Sequence, residues 1–188
     1  MDSQLQAFRD DVGAELERAS TSFHQLLKAL SADLRRQPSD GTKWSNDELL
    51  FHMMFGYMIV WSLIWLVKFF SRMPIKVGVI FAAILNVFTS PFNTANYLGS
   101  RVGARIYPHD RMGAKFDRVV KSLRRRLAAE RDDSLRRQMC FPARWDPFFK
   151  ERMSLADVYR YPTQHFDFHR RQLSGGLGGG SGSDGNRG

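Results

Sequence analysis

The chain has 188 residues, of which 43% are hydrophobic, enough for one domain with a real core. A formal net charge of +9 turns attention to anionic partners, nucleic acid or a membrane surface, with a solvated basic helix face as the plain alternative. The single cysteine, Cys140, excludes an internal disulfide and reads as an inert thiol in a reducing cytoplasm. Few alternating apolar/polar runs and an abundance of Leu, Ala, Arg and Met point away from a β protein and toward an all-α one.

The N-terminus has no basic segment followed by an apolar core, so no signal peptide is expected. Over residues 3–36, Leu5, Phe8, Val12, Leu16, Phe23, Leu26, Leu27 and Leu30 recur at three- and four-residue steps, which predicts one long amphipathic helix. Pro38, Ser39, Asp40 and Gly41 break it. Ser45 followed by Glu48 is a capping box, and Asp47 and Glu48 suit a helix N-terminus, so a second helix is predicted over 46–71.

That helix carries nineteen residues, 49–67, with no formally charged side chain. After Lys68, Arg72 and Lys76 comes another apolar run, 77–92, closed by Pro91. Apolar on all sides, the 49–92 region fits either a buried helix with a dimer face or a membrane-associated hairpin. Residues 93–108 read as an irregular connection.

A third helix is predicted over 110–137, with Met112, Phe116, Val119, Val120, Leu123, Leu127 and Leu135 on one side and arginines on the other. Residues 101–137 hold twelve Lys or Arg against five Asp or Glu, so most of the charge excess lies there. No aromatic side chains interleave the arginines of residues 118–137, which argues against nucleic acid. The loop 141–150 presents Trp145, Phe148 and Phe149 to cover the end of a core. Ser154 caps a fourth helix over 155–173, with a kink or break expected near Tyr161 because of Pro162. Residues 174–188, almost all Gly and Ser, read as a disordered tail beyond a 1–173 domain.

The five histidines are the most informative residues. His165 and His169 lie four apart, so on a helix their rings leave one face one turn apart, a spacing that can chelate an ion. His52 sits one turn into a helix otherwise made of Leu, Phe and Met. A lone histidine there is commonly a satisfied core residue, but in a bundle its ring can meet the other pair. Three neutral imidazoles then supply the ligand set of a catalytic-type site with positions left for water or substrate.

The stretch Trp44-Ser45-x-x-Glu48-x-x-x-His52 resembles the start of the second helix in the DinB/YfiT-like superfamily. The stretch His165-Phe166-Asp167-Phe168-His169-Arg170-Arg171-Gln172 resembles that family's closing His-x-x-x-His-x-x-Gln helix. The loop around Trp145, Asp146 and Pro147 fits the connection before it. The resemblance implies an up-down-down-up four-helix bundle, here with an extra apolar segment between helices two and three, and a homodimer.

The resemblance also implies one divalent metal ion (zinc, nickel or iron) on His52, His165 and His169. It extends to enzymes that use a low-molecular-weight thiol such as mycothiol, as S-transferases or isomerases acting on a small-molecule electrophile. Asn46 and Glu48 are then candidates to support the ligands from behind, and Arg101 and Arg170 to hold an anionic cosubstrate. Asp167 points away from the ligand pair on a helical wheel and is given no role. The alternatives are a hydrolase, a metal-carrying scaffold without turnover, and a peripheral protein whose 49–92 region meets an anionic membrane. The expected location is the cytoplasm.

Overall fold

The computed structural model describes residues 2–176. In chain order these form α1 (Asp2–Ala29), α2 (Ala32–Arg36), α3 (Asn46–Phe70), α4 (Ile75–Val87), α5 (Thr89–Ile106), α6 (His109–Ala129), α7 (Asp132–Leu135), β1 (Gln138–Cys140), β2 (Arg152–Ser154) and α8 (Leu155–Arg170). The four long helices α1, α6, α3 and α8 pack in a ring, each against the next. One aromatic from each helix meets at its centre. Phe23 and Phe116 lie 4.4 Å apart, Tyr57 stands edge-on to Phe116 at 4.7 Å, and Phe166 closes the group at 6.2 Å from both Tyr57 and Phe116. All four side chains are fully buried, which for each is worth roughly 1.5–3 kcal/mol relative to exposure.

Local signals start the two helices that matter most. At α3, the Ser45 hydroxyl accepts from the Glu48 amide while Glu48 accepts from the Ser45 amide. At α8, Ser154 and Asp157 make the same reciprocal pair. Each box satisfies donors that the first helical turn leaves unpaired. The apolar circumference of α3 follows from its place between α6, α8 and α5. It is long and apolar enough to cross a membrane, but 61% of its most apolar stretch is buried within the protein, as in a core helix.

Several sequence expectations need correction. The first helix stops at Ala29, because the Ser31 side chain accepts from the Leu34 amide and begins α2 as a separate turn. The 93–108 connection is not irregular. It is most of α5, and Pro91 sits in the first turn of that helix, where no amide donor is needed. The apolar run before it ends at Val87, and α4 and α5 meet at a 68° bend.

The third helix ends at Ala129 rather than at Arg137. Extended backbone at Glu130 turns the chain and buries a carboxylate that accepts from Lys68 at 2.6 Å and from the Tyr159 hydroxyl at 3.2 Å. Beyond α7 the all-helical pattern is interrupted by a short antiparallel ribbon pairing Met139 with Met153. α8 runs through Pro162 without a break and ends at Arg170. Order also continues past the expected domain end. Ser174 donates its amide to the Asn46 side chain and accepts from it at 2.8 Å. The rest of the expected tail, from 177 onward, lies outside the described residues.

Candidate metal centre

His52 lies in the second turn of α3, and His165 and His169 face it from the last turns of α8. The ring centroids are 4.5–4.8 Å apart in all three pairs. One ring nitrogen from each histidine lies within 4.8 Å of the other two. The approach is close because residue 56 has no side chain: a Cβ on Gly56 would stand 2.7 Å from His165 Nδ1. Trp44 stacks on the outer face of His52, 4.3 Å between centroids, and donates Nε1 to the Tyr97 carbonyl. This tryptophan and Gly56 fix the depth of the two inner rings.

Hydrogen bonds set the tautomers. The Ser100 hydroxyl donates to the Asn96 carbonyl, so it accepts from Nδ1–H of His52 at 3.1 Å. Nδ1 of His169 donates to Gln172 Oε1 at 2.6 Å. Both residues therefore present an unprotonated Nε2 inward. His52 Nε2 and His165 Nε2 are 3.2 Å apart, and His165 Nδ1 is buried with no partner. Burial pushes the His52 imidazole down to about 3, helped by repulsion from His169. Burial likewise holds His165 well below its ordinary value and lowers His169. All three rings are neutral at pH 7, as ligands must be.

The three imidazoles are placed so that they could hold one metal ion. Nitrogens bound to one zinc ion at about 2.0–2.1 Å each stand roughly 3 to 3.4 Å apart, a spacing that His52 Nε2 and His165 Nε2 already have at 3.2 Å, while the donors of all three rings lie within 4.8 Å of one another. The other two histidines are engaged elsewhere, His24 with Asp117 and His109 with Asp47 and the Leu27 carbonyl.

The candidate supporting residues divide differently from expectation. Asn46 is buried, but its side chain ties the Leu34 carbonyl to Ser174. Glu48 is divided between the Ser45 amide and Arg101. Neither hydrogen-bonds a histidine; Ser100 and Gln172 take that place. Arg101 is held by Glu48 and lies over the Tyr97 ring. Arg170 is half-buried at the end of α8. Asp167 pairs with Arg18 on the surface.

Asp146 is the group that sequence reasoning left without a role. Its Oδ2 accepts from the Tyr161 hydroxyl at 2.9 Å and lies 3.7 Å from His165 Nε2, and burial raises its carboxyl above the ordinary range. The Trp-Asp-Pro stretch was the only signal that could have flagged it.

An elongated cavity of about 80 Å³ runs away from the histidines. His52, His165, Asp146 and Tyr161 form its polar end. On α3 its wall continues through Ile59 and Leu63 to Leu66, about 21 Å from His52 at 1.5 Å per residue. The rest of the lining is almost entirely apolar and includes Phe81, Leu85 and Phe92 from α4 and α5. Trp145 closes it by donating to the Leu85 carbonyl at 2.8 Å and stacking on Phe92 at 3.9 Å.

No significant match to the chain appears among curated proteins or among solved structures. The family model of the DinB superfamily matches residues 15–173, a span that holds all three clustered histidines, and by that match the chain belongs to the DinB superfamily.

Proposed function

We propose that this protein holds one divalent metal ion on His52, His165 and His169 and uses it to activate a small thiol against an apolar electrophile. The observation that carries the reading is the convergence of three neutral imidazoles, two with tautomers fixed from behind, of which His52 and His165 line the polar end of an apolar cavity. When bound, such an ion lowers the pKa of a coordinated thiol or water and makes it nucleophilic at neutral pH.

The chain's own residues supply the rest. Ser100 and Gln172 keep the ligand rings oriented. Asp146, held by Tyr161 and the Phe148 amide, places Oδ2 beside the site to receive the nucleophile's proton. The apolar walls take the electrophile and exclude water. The choice of a thiol over water rests on membership of the superfamily.

The test is elemental analysis of the purified protein beside His52→Ala, His165→Ala and His169→Ala. The expected result is one zinc, nickel or iron per chain, lost in each variant. The loaded protein should then speed consumption of a chlorodinitrobenzene-type electrophile by a low-molecular-weight thiol. A folded parent that stays metal-free after reconstitution with each of the three metals overturns the reading.

A further inference from the structure

We propose that the outer face of α4, with the corner that joins it to α3, docks onto an anionic membrane surface. On α4 the side chains of Phe81, Ala82 and Leu85 face the protein, while Ile75, Val77, Val79, Ile80, Ile84 and Val87 are exposed. Val87 is 79% exposed and Ile75 57%. Lys76 and Asn86 are the only polar side chains in the helix. A contiguous apolar face of this extent is rare on a protein surface that meets only water. It continues around the corner: Met73, Phe69 and Trp65 are also exposed, and Trp65 with Trp61 forms a stripe covered by the Arg126 guanidinium at 5.1 and 4.2 Å. Tryptophan and arginine together at the rim of an apolar face suit the boundary between headgroups and acyl chains.

Charge selects the occupant. Residues 49–109 contain no Asp or Glu, but they do contain Lys68, Arg72, Lys76, Arg101 and Arg105. Lys68 is taken by Glu130 and Arg101 by Glu48. Arg72 and Lys76, which flank Met73 and Ile75, are exposed and form no ion pair among the described residues. A second copy of this face would bring the same cations with no acid from this segment to meet them. An anionic lipid surface offers apolar depth and negative charge at the rim. The proposal does not depend on the metal reading, although Phe81 and Leu85 place the inner side of the same helix on the channel wall.

Co-sedimentation of the full chain with phosphatidylcholine vesicles, with and without an equimolar share of phosphatidylglycerol, tests it. The protein should pellet with the anionic vesicles and remain in the supernatant with phosphatidylcholine alone. The exposed-face variant Ile80→Glu/Ile84→Glu, checked for an unchanged helical spectrum, should lose binding. Arg72→Gln/Lys76→Gln should weaken partitioning by about 30-fold, from roughly a fivefold loss for each neutralised charge. Failure to pellet with anionic vesicles overturns the proposal, as does binding indifferent to both variants. Light scattering supplies a further check: a dimer that Ile80→Glu/Ile84→Glu converts to monomer, without vesicle binding by the parent, assigns the face to self-association and also overturns it.

Discussion

His52 Nε2 and His165 Nε2 stand 3.2 Å apart inside the bundle, one on the second long helix and the other on the last. His52 Nε2 is the bare acceptor of the pair, so at that distance His165 Nε2 either donates its own proton to it or shares a cation with it. An ion that binds only the folded chain stabilises it by mass action. With free zinc or nickel about a hundredfold above its Kd, the gain is roughly 2.7 kcal/mol, or about 5 to 10 °C in Tm for a chain of this size. Thermal melts with added ion and with chelator measure it directly. An unchanged Tm in both would exclude tight binding at this site.

Without the ion, acid should weaken the fold through the same rings. Burial depresses the His52 imidazole from 6.5 to about 3 and lowers His165 and His169 in the same direction. Between those two values the unfolded chain takes up protons that the folded chain refuses, so stability rises with pH. It is fully present above 6.5 and is lost as pH falls toward 3. Urea unfolding of the metal-free protein across that window should show the slope, and His52→Gln should make it shallower. Equal slopes in parent and variant would show that His52 is not the source.

Two glycine substitutions should act in opposite directions. Gly56→Ala puts a methyl 2.7 Å from His165 Nδ1, and overpacking of this kind costs about 1 to 3 kcal/mol. It should also shift the ring and weaken metal binding. Gly13→Ala in α1 meets nothing within 4 Å and should stabilise by about 0.5 to 1 kcal/mol through helix propensity. Paired denaturation curves settle both, and equal effects would contradict the packing described around Gly56.

Ser100→Ala and Gln172→Ala should leave the bundle folded but lower metal affinity by about 10- to 100-fold, the usual loss when a ligating histidine loses the group behind it. Asn46→Ala should do something different. It removes the clasp between the Leu34 carbonyl and Ser174, so it should cost stability and leave metal affinity intact. Isothermal titration of the three variants separates the two classes.

Much of this was legible in the sequence where the signal was local. Ser45 with Glu48, and Ser154 as a cap, lie within one turn of the groups they satisfy, and the i, i+4 spacing of His165 and His169 fixes a shared face. The contact that Asn46 makes cannot be read locally, because its partner, Ser174, lies 128 residues away. Ser100 was missed for a related reason: it reaches His52 only because residues 89–106 are helical, and Pro91 in their midst reads as a terminator unless its place in a first turn is known. Glu130 ends α6 early for the sake of contacts with Lys68 and Tyr159 on two other helices. The β1–β2 ribbon consists of two three-residue strands, too short to show a period.

The placement of the three histidines also has a meaning for how the chain is made. One donor belongs to α3 and two to α8, and His52 and His165 are 113 residues apart. A chain still lacking its last helix holds a single donor and cannot grip an ion. Once α8 has docked, an ion bridging the two helices closes a loop of more than a hundred residues, and a link of that span removes roughly 4 to 5 kcal/mol of freedom from the unfolded chain. On the proposed metal reading, loading of the ion would act as a late latch, thrown only when the final segment has found its place.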